Sequence, residues 1–296
     1  MAGLEIHPLS GLRAEAAGLL AERYARQRAA EPFLPEVADF EPHLPADGHV
    51  ATRGGEAVAY LAGALDGDMA RWQFAGHAAR EPEALRDLFA LQAEELGVSR
   101  FTVAVPASAP ELIDAWFRLA FGCQFVWAAR EVEPAEPVDF GGTIRAAIPD
   151  DLEDILDFDE ILNDLQRGTP SFSGQAPPSR EELREEEAGI WDDPAQIPFV
   201  AERDGQLVGM LLLYRRPAGD LRVPEQNIDL AFAATRDVAR GSGVGLALTA
   251  HALNWAHAEG LRSITVDWRS VNLLSSRFWP RRGFRPQYLR LYRAVP

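Results

Sequence analysis

The chain has 296 residues, 47% of them hydrophobic, and a net charge of −16 from 29 basic and 45 acidic side chains. That is a globular composition with a real core, long enough for one large domain or two of ordinary size, and its acidity excludes nucleic-acid binding, which rests on neutralising phosphates. The single cysteine, Cys123, excludes an internal disulfide framework and reads as a small buried side chain; with no charged-then-apolar leader and no run approaching ~18 apolar residues, a cytoplasmic protein without a membrane partner is expected.

In chain order, Leu85 to Leu96 carries apolar residues at 85, 88, 89, 91 and 96, close to helical spacing, and Phe101 to Val105 reads as a strand. Glu133 to Gly142 (EPAEPVDFGG), rich in Pro, Gly and acids, reads as a linker. Asp150 to Asp193 holds fifteen acids against three arginines (167, 180 and 184), either a solvated helix face or a wall that draws a cationic acceptor. Within it, Gly168 to Pro178 reads as a mobile loop able to cover a cleft.

Further on, Ile228 to Ala234 reads as a strand and Leu246 to Glu259 as a helix, with Arg240-Gly241-Ser242-Gly243-Val244-Gly245 between them. A glycine-rich turn at a helix start leaves backbone N–H groups free beside a partial positive charge, a natural phosphate cradle. It is not a Walker loop, which ends in Gly-Lys-Ser/Thr, because the chain has no lysine. Nor is it a dinucleotide fingerprint, whose glycines follow G-x-G-x-x-G. From Leu261 to Pro296 there are eight arginines (262, 269, 277, 281, 282, 285, 290 and 293) against one acid, Asp267, a basic island in an acidic chain. The six histidines are scattered, so no metal site is expected.

The chain also repeats itself. His49 to Tyr60 parallels Phe199 to Met210, Arg100-Phe101-Thr102-Val103 parallels Ser263-Ile264-Thr265-Val266, Trp116 parallels Trp279, and Ala120-Phe121 parallels Gly283-Phe284. The last three pairs share one offset, since 263 − 100, 279 − 116 and 283 − 120 each give 163, and Gly97 and Gly260 fit it too. A constant offset over separate elements indicates a tandem duplication, with domains at 1–135 and 143–296. The same offset aligns positions 240, 243 and 245 with His77, Arg80 and Pro82, so the first half lacks the glycine turn.

The order R-x-x-G-x-G resembles the acyl-CoA loop of the GNAT N-acetyltransferase superfamily. The resemblance extends over nearly all of 143–296. Thr143 to Asp151 is similar to the family's first strand and helix entry, Phe199 to Leu213 to its hairpin of strands two and three, and Ser263 to Trp268 to its fifth strand. Asn272, Ser275 and Trp279 fall on its N-x-x-A-x-x-x-Y pattern, and Gly283-Phe284 on its closing G-F. The resemblance implies an α/β layered fold, two tandem domains each with a mixed, mostly antiparallel sheet flanked by helices. The sheet would splay between strands four and five to hold the carrier. The first half would be a degenerate copy.

The activity implied is acetyl transfer from acetyl-CoA to a primary amine of a small, cationic acceptor by direct attack. Alternatives are a non-catalytic acyl-CoA sensor and an enzyme of the mycothiol-synthase type, whose tandem layout is similar. Ala233 and Thr235 match strand positions facing the pantetheine arm, Arg240 to Gly245 the pyrophosphate loop, and Asn272 the thiol end, with Ser275 and Trp279 nearby. Part of the arginine island would face the anionic adenosine end, or be ordinary surface. The family's acidic tyrosine is Trp279 here, and indole donates a hydrogen bond without titrating, so Tyr288, Ser275 or water are candidate acids. Asp229 is the leading candidate base, then Glu202, then Asp267; His251 and His257 rank below them.

Overall fold

The computed structural model describes residues 3–172, 176–217 and 219–295. Chain order is β1 (Leu4–Pro8), α1 (Arg13–Ala30), β2 (Gly48–Arg53), β3 (Glu56–Ala62), β4 (Ala64–Asp66), β5 (Met69–Trp72), β6 (His77–Ala79), α2 (Ala84–Leu96), β7 (Arg100–Pro106), α3 (Pro110–Phe117) and β8 (Gly122–Glu131). There follow β9 (Thr143–Ala146), α4 (Leu152–Arg167), α5 (Arg180–Glu187), β10 (Gln196–Arg203), β11 (Gln206–Tyr214), β12 (Asn227–Thr235), α6 (Val244–Ala258), β13 (Ser263–Arg269), α7 (Ser275–Phe278) and β14 (Arg285–Ala294).

Two compact units result, Met1–Trp127 with Pro286–Pro296, and Ala128–Arg285. The sequence-based boundaries put 128–135 in the first domain and 286–296 in the second; the structure groups each the other way. Backbone pairing is the reason. β14 runs antiparallel to β7 from Tyr288 opposite Pro106 to Ala294 opposite Arg100. Val132 donates its amide to the Arg262 carbonyl at 3.0 Å, and Arg285 forks onto Glu131 at 2.7 and 2.9 Å.

The first unit contains the strand orders β1-β2-β3-β6 and β4-β5-β7-β14. Its core includes a ring cluster of Trp72, Phe89, Phe101, Trp116 and Phe121, with Trp72 stacked on Phe101 at 5.9 Å. The second unit orders its strands β13-β12-β11-β10-β9, antiparallel except for the parallel pair β12–β13. Its core, between α4 and the sheet, includes Ile155, Phe158, Val200 and Met210.

The duplication is visible in detail. The hairpins β2–β3 and β10–β11 turn on Gly54-Gly55 and Asp204-Gly205, all at positive φ, as tight two-residue hairpins require. Each hairpin carries a register shift at the matching place, Ala51/Thr52 and Ala201/Glu202. Ala120 takes the left-handed conformation (φ 62°) that Gly283 takes (φ 81°). The rings that follow pack alike, Trp116 on Phe121 at 5.0 Å and Trp279 on Phe284 at 5.4 Å, both edge to face.

One alignment needs correction. Ala59 pairs with Ala79 as Gly209 pairs with Thr235, so the offset is 150 in the hairpin (209 − 59) and 156 at the next strand (235 − 79). The counterpart of His77 is therefore Ala233, not Arg240. The step from 156 to 163 is a seven-residue gap, and it falls between β6 and α2. The glycine turn is deleted from the first unit rather than mutated.

Candidate active site

In the second unit β12 and β13 pair from Asn227 opposite Ser263 to Leu230 opposite Val266, and pairing stops there although both strands continue. On its other side β12 carries a bulge: Leu212 faces Phe232 and Leu213 faces Leu230, leaving Ala231 extra. The sheet thus splays between its fourth and fifth strands.

The chain leaves β12 at Thr235, makes a 3₁₀ turn over Asp237–Ala239, and reaches α6 through the glycines. Gly241 (φ 78°) and Gly243 (φ 92°) both sit in the left-handed region that favours glycine. Two amides of the turn are spent internally, Arg240 on the Asp237 carbonyl and Ser242 on the Ala239 carbonyl, at 3.2 and 3.3 Å. Among the described residues, the amides of Gly241, Gly243, Val244 and Gly245 have no backbone acceptor. The last two belong to the first turn of α6, where a helix leaves its donors unsatisfied.

α6 is alanine- and leucine-rich, and it buries Val244, Ala247, Leu248, Ala252 and Leu253. It lies tight on β11, because a Cβ on Gly209 would stand 2.7 Å from Val244 Cγ1. The stretch read as a linker braces the turn. Val138, Asp139 and Phe140 all lie 3.7–3.8 Å from where a Cβ on Gly243 would be, and Asn254 holds Ala135 by both its amide and its carbonyl.

A cavity of about 440 Å³ opens at the splay. Its wall includes Ala233 and Thr235 of β12, Arg240, Gly241, Gly243, Val244 and Gly245 of the turn, and Asn272, Ser275 and Trp279. Of the expected carrier-binding positions only Ser242 is elsewhere: its hydroxyl donates to the Ala239 carbonyl and accepts from Arg203 at 3.1 Å. Asn272 spends its side-chain oxygen capping α7, accepting from the amides of Leu274 and Ser275.

The sequence-based acid and base candidates are mostly displaced. Asp229, 2% exposed, accepts from Arg216 at Oδ2 and from the Thr265 hydroxyl at Oδ1, the latter at 2.8 Å, and it is not on the cavity wall. Glu202 pairs with Arg145 at 3.3 Å, away from the cavity. Tyr288 belongs to the first unit, buried against Phe74 with ring centroids 4.8 Å apart. Only Ser275 of the four lines the cavity. Asp267, His251 and His257 do not.

The acidic segment meets the cavity through Ile161, Leu162 and Leu165, while its carboxylates Glu153, Asp157 and Glu160 gather around Arg180 and Asp154 around Arg236. The expected acidic wall for a cationic acceptor is therefore not on the cavity. Of the loop 168–178, residues 173–175 lie outside the described residues. Of the arginine island, Arg282 alone reaches the lining. The sequence names Arg282 only as one of eight arginines, part of which would face the adenosine end, and does not single out the α4 stripe, although the 161/165 and 162/165 spacings are those of one helix face. Among the described residues, no group of three or more His, Cys, Asp or Glu is placed to hold a metal ion, and no helix is long and apolar enough to cross a membrane.

The second unit is thus an α/β domain whose sheet splays past a bulged strand, with a glycine turn opening a helix at the splay. Residues 158–284 match the Acetyltransferase (GNAT) family. The chain is similar to a GCN5-related N-acetyltransferase from Sphaerobacter thermophilus, with a TM-score of 0.60 at 15% identity over 98% of this chain and 95% of that one. It is also similar to a tandem GNAT protein from the clavulanic acid biosynthesis pathway, with a TM-score of 0.51 at 16% identity over 99% of both chains. A mycothiol acetyltransferase of Cellulomonas flavigena is 32% identical over 106 residues, 35% of this chain and 30% of that protein's length. The GNAT family match thus falls on residues 158–284, and the likeness of the whole chain to a tandem GNAT protein is one of fold.

Proposed function

We propose that the protein transfers an acetyl group from acetyl-CoA to a primary amine of a small acceptor by direct attack within the second unit. The observation that carries this reading is the set of free amides at Gly241, Gly243, Val244 and Gly245 on the wall of the splay cavity. They suit a diphosphate, with the helix N-terminus behind them. The pantetheine arm would run along Ala233 and Thr235, toward Asn272.

In the reaction the neutral amine nitrogen bonds to the acetyl carbonyl carbon, the carbon–sulfur bond breaks, the CoA thiolate leaves, and the nitrogen's extra proton passes to water or to the departing thiolate. The oxyanion would take the β12 amide released by the bulge at Ala231. A thiolate of pKa about 8.5 departs without an acid, so Trp279 in the tyrosine position does not block turnover. The apolar stripe of Ile161, Leu162 and Leu165 favours an acceptor with an apolar body. A second reading draws on the Cellulomonas flavigena relative: an acceptor of the kind a mycothiol acetyltransferase uses.

The test is calorimetry with acetyl-CoA followed by thiol release against an amine panel that includes a cysteinyl-sugar amine. Saturable binding with turnover on some amine supports the reading. Binding without turnover on any of them supports an acyl-carrier sensor instead, and absence of binding ends both.

A further inference from the structure

Two arginines line the cavity, and one of them is already neutralised. Arg240 ion-pairs with Asp237 at 2.7 Å. Arg282 has its guanidinium over the Phe278 ring, 3.9 Å from the centroid, and gives Nη1 to the Phe278 carbonyl at 3.1 Å. Among the described residues no carboxylate pairs with it, and its buried Nε has no acceptor. Burial, and then the neighbouring Arg281, hold its pKa below arginine's usual value. A partly desolvated cation without a counter-ion is unfavourable until an anion reaches it.

The position tells which anion. Phe278, beneath Arg282, stands 3.4 Å from where a Cβ on Gly245 would be, so the guanidinium is held one ring away from the free amides that open α6. A phosphate-bearing carrier laid on those amides brings its charge to this corner of the cavity. We infer that Arg282 is a specificity residue for the donor: it takes a phosphate oxygen of the carrier's nucleotide and selects an acyl donor bearing one over a bare pantetheine thioester. This rests on the acyl-CoA reading above. Neither loop motif nor strand position assigns the residue.

Calorimetry on the full chain tests it, with CoA, 3′-dephospho-CoA and pantetheine titrated into wild type, R282Q, R282K and R281Q. R282Q should weaken CoA about tenfold or more, the worth of a charge-assisted hydrogen bond, and leave pantetheine unchanged. R282K should recover part of the loss. R281Q removes the same charge from an exposed neighbour outside the cavity and should cost about twofold or less. A loss that vanishes with 3′-dephospho-CoA identifies the ribose phosphate, and one that persists identifies the diphosphate. R282Q with the wild-type ratio of CoA to pantetheine affinity overturns the inference and leaves the acyl-CoA reading standing. Wild type silent toward CoA overturns both.

Discussion

Asp229 and Arg216 form a 2.5 Å ion pair, and the aspartate side of it is 3% exposed while the arginine side is 37% exposed. With Thr265 on the other oxygen, the carboxylate is a structural tie at the β12–β13 junction rather than a group facing the cavity. D229N should therefore act on stability. It leaves Arg216 without its counter-charge and costs about 1–3 kcal/mol, the range for a buried polar partner removed. Denaturant melts should show that loss, while turnover per folded molecule stays within about threefold, far short of what a lost general base costs. A folded D229N with turnover down about a hundredfold would restore the aspartate as the base.

Gly209 is where α6 meets the sheet. A methyl group there would lie 2.7 Å from Val244 Cγ1 and 3.0 Å from Leu248 Cδ1, closer than carbon atoms approach. G209A should lift the first turn of α6 off β11, lowering stability by about 1–3 kcal/mol as overpacking does. Because Val244 follows the glycine turn directly, acetyl-CoA affinity should fall with it. V244A in the same chain removes the nearer clash and should return part of both losses. If the double variant is as weak as the sum of the singles, the two residues do not couple and the contact is not what sets the helix position.

What the sequence made legible was whatever repeats or has a strict local requirement. Gly283 and its counterpart Ala120 share a left-handed turn, and the Trp-Phe pairs share a packing geometry, so an offset in letters is an offset in space. The glycine turn is local, and its amides follow from φ and helix geometry. Asp229, Glu202 and Tyr288 were not legible in the same way. Strand periodicity tells which residues share a face, but not that Arg216 or Arg145 closes over the carboxylate. Nor does any local signal assign Tyr288 to the first unit, since that follows from β14 pairing with β7. Arg282 was visible only as one of eight arginines; its place on the cavity comes from the turn after α7.

In the first unit the counterpart of the splay is closed from within. His77 reaches the Ala104 carbonyl at 2.9 Å, and the fully buried Arg23 donates to the carbonyls of His77 and Phe74. Burial first, and then Arg23, hold the His77 pKa down to about 3 from its ordinary 6.5. The folded value lies below the unfolded one, so this contribution is complete above pH 6.5 and is lost as pH falls from there toward 3. Between pH 7 and pH 5 the loss should reach about 2 kcal/mol. Chemical denaturation at the two pH values measures it, and H77Q, which has no proton to take up, should lose much less. Equal losses in the two proteins would assign the acid sensitivity to other groups.

The wall of the second unit's cavity supplies arginine, hydroxyl and amide groups, and among the described residues no Asp, Glu or His lies on it. Residues 173–175 are Ser, Gly and Gln, so they add no titrating side chain. Under the acetyl-transfer reading the acceptor must then shed its proton to water before it attacks. The pH profile should belong to the acceptor: kcat/KM climbs about tenfold per pH unit until the acceptor's own pKa and then levels. An α-amino acceptor levels near pH ~7.7 and an alkylamine near ~10.4, since these are their ordinary pKa values. The more weakly basic amine is therefore the better substrate at neutral pH, by roughly 400-fold in its neutral fraction. Rate profiles for one acceptor of each kind decide the matter. A single inflection shared by both, well below either amine's pKa, would mean that a protein group takes the proton and that the cavity wall does not hold the whole catalytic apparatus.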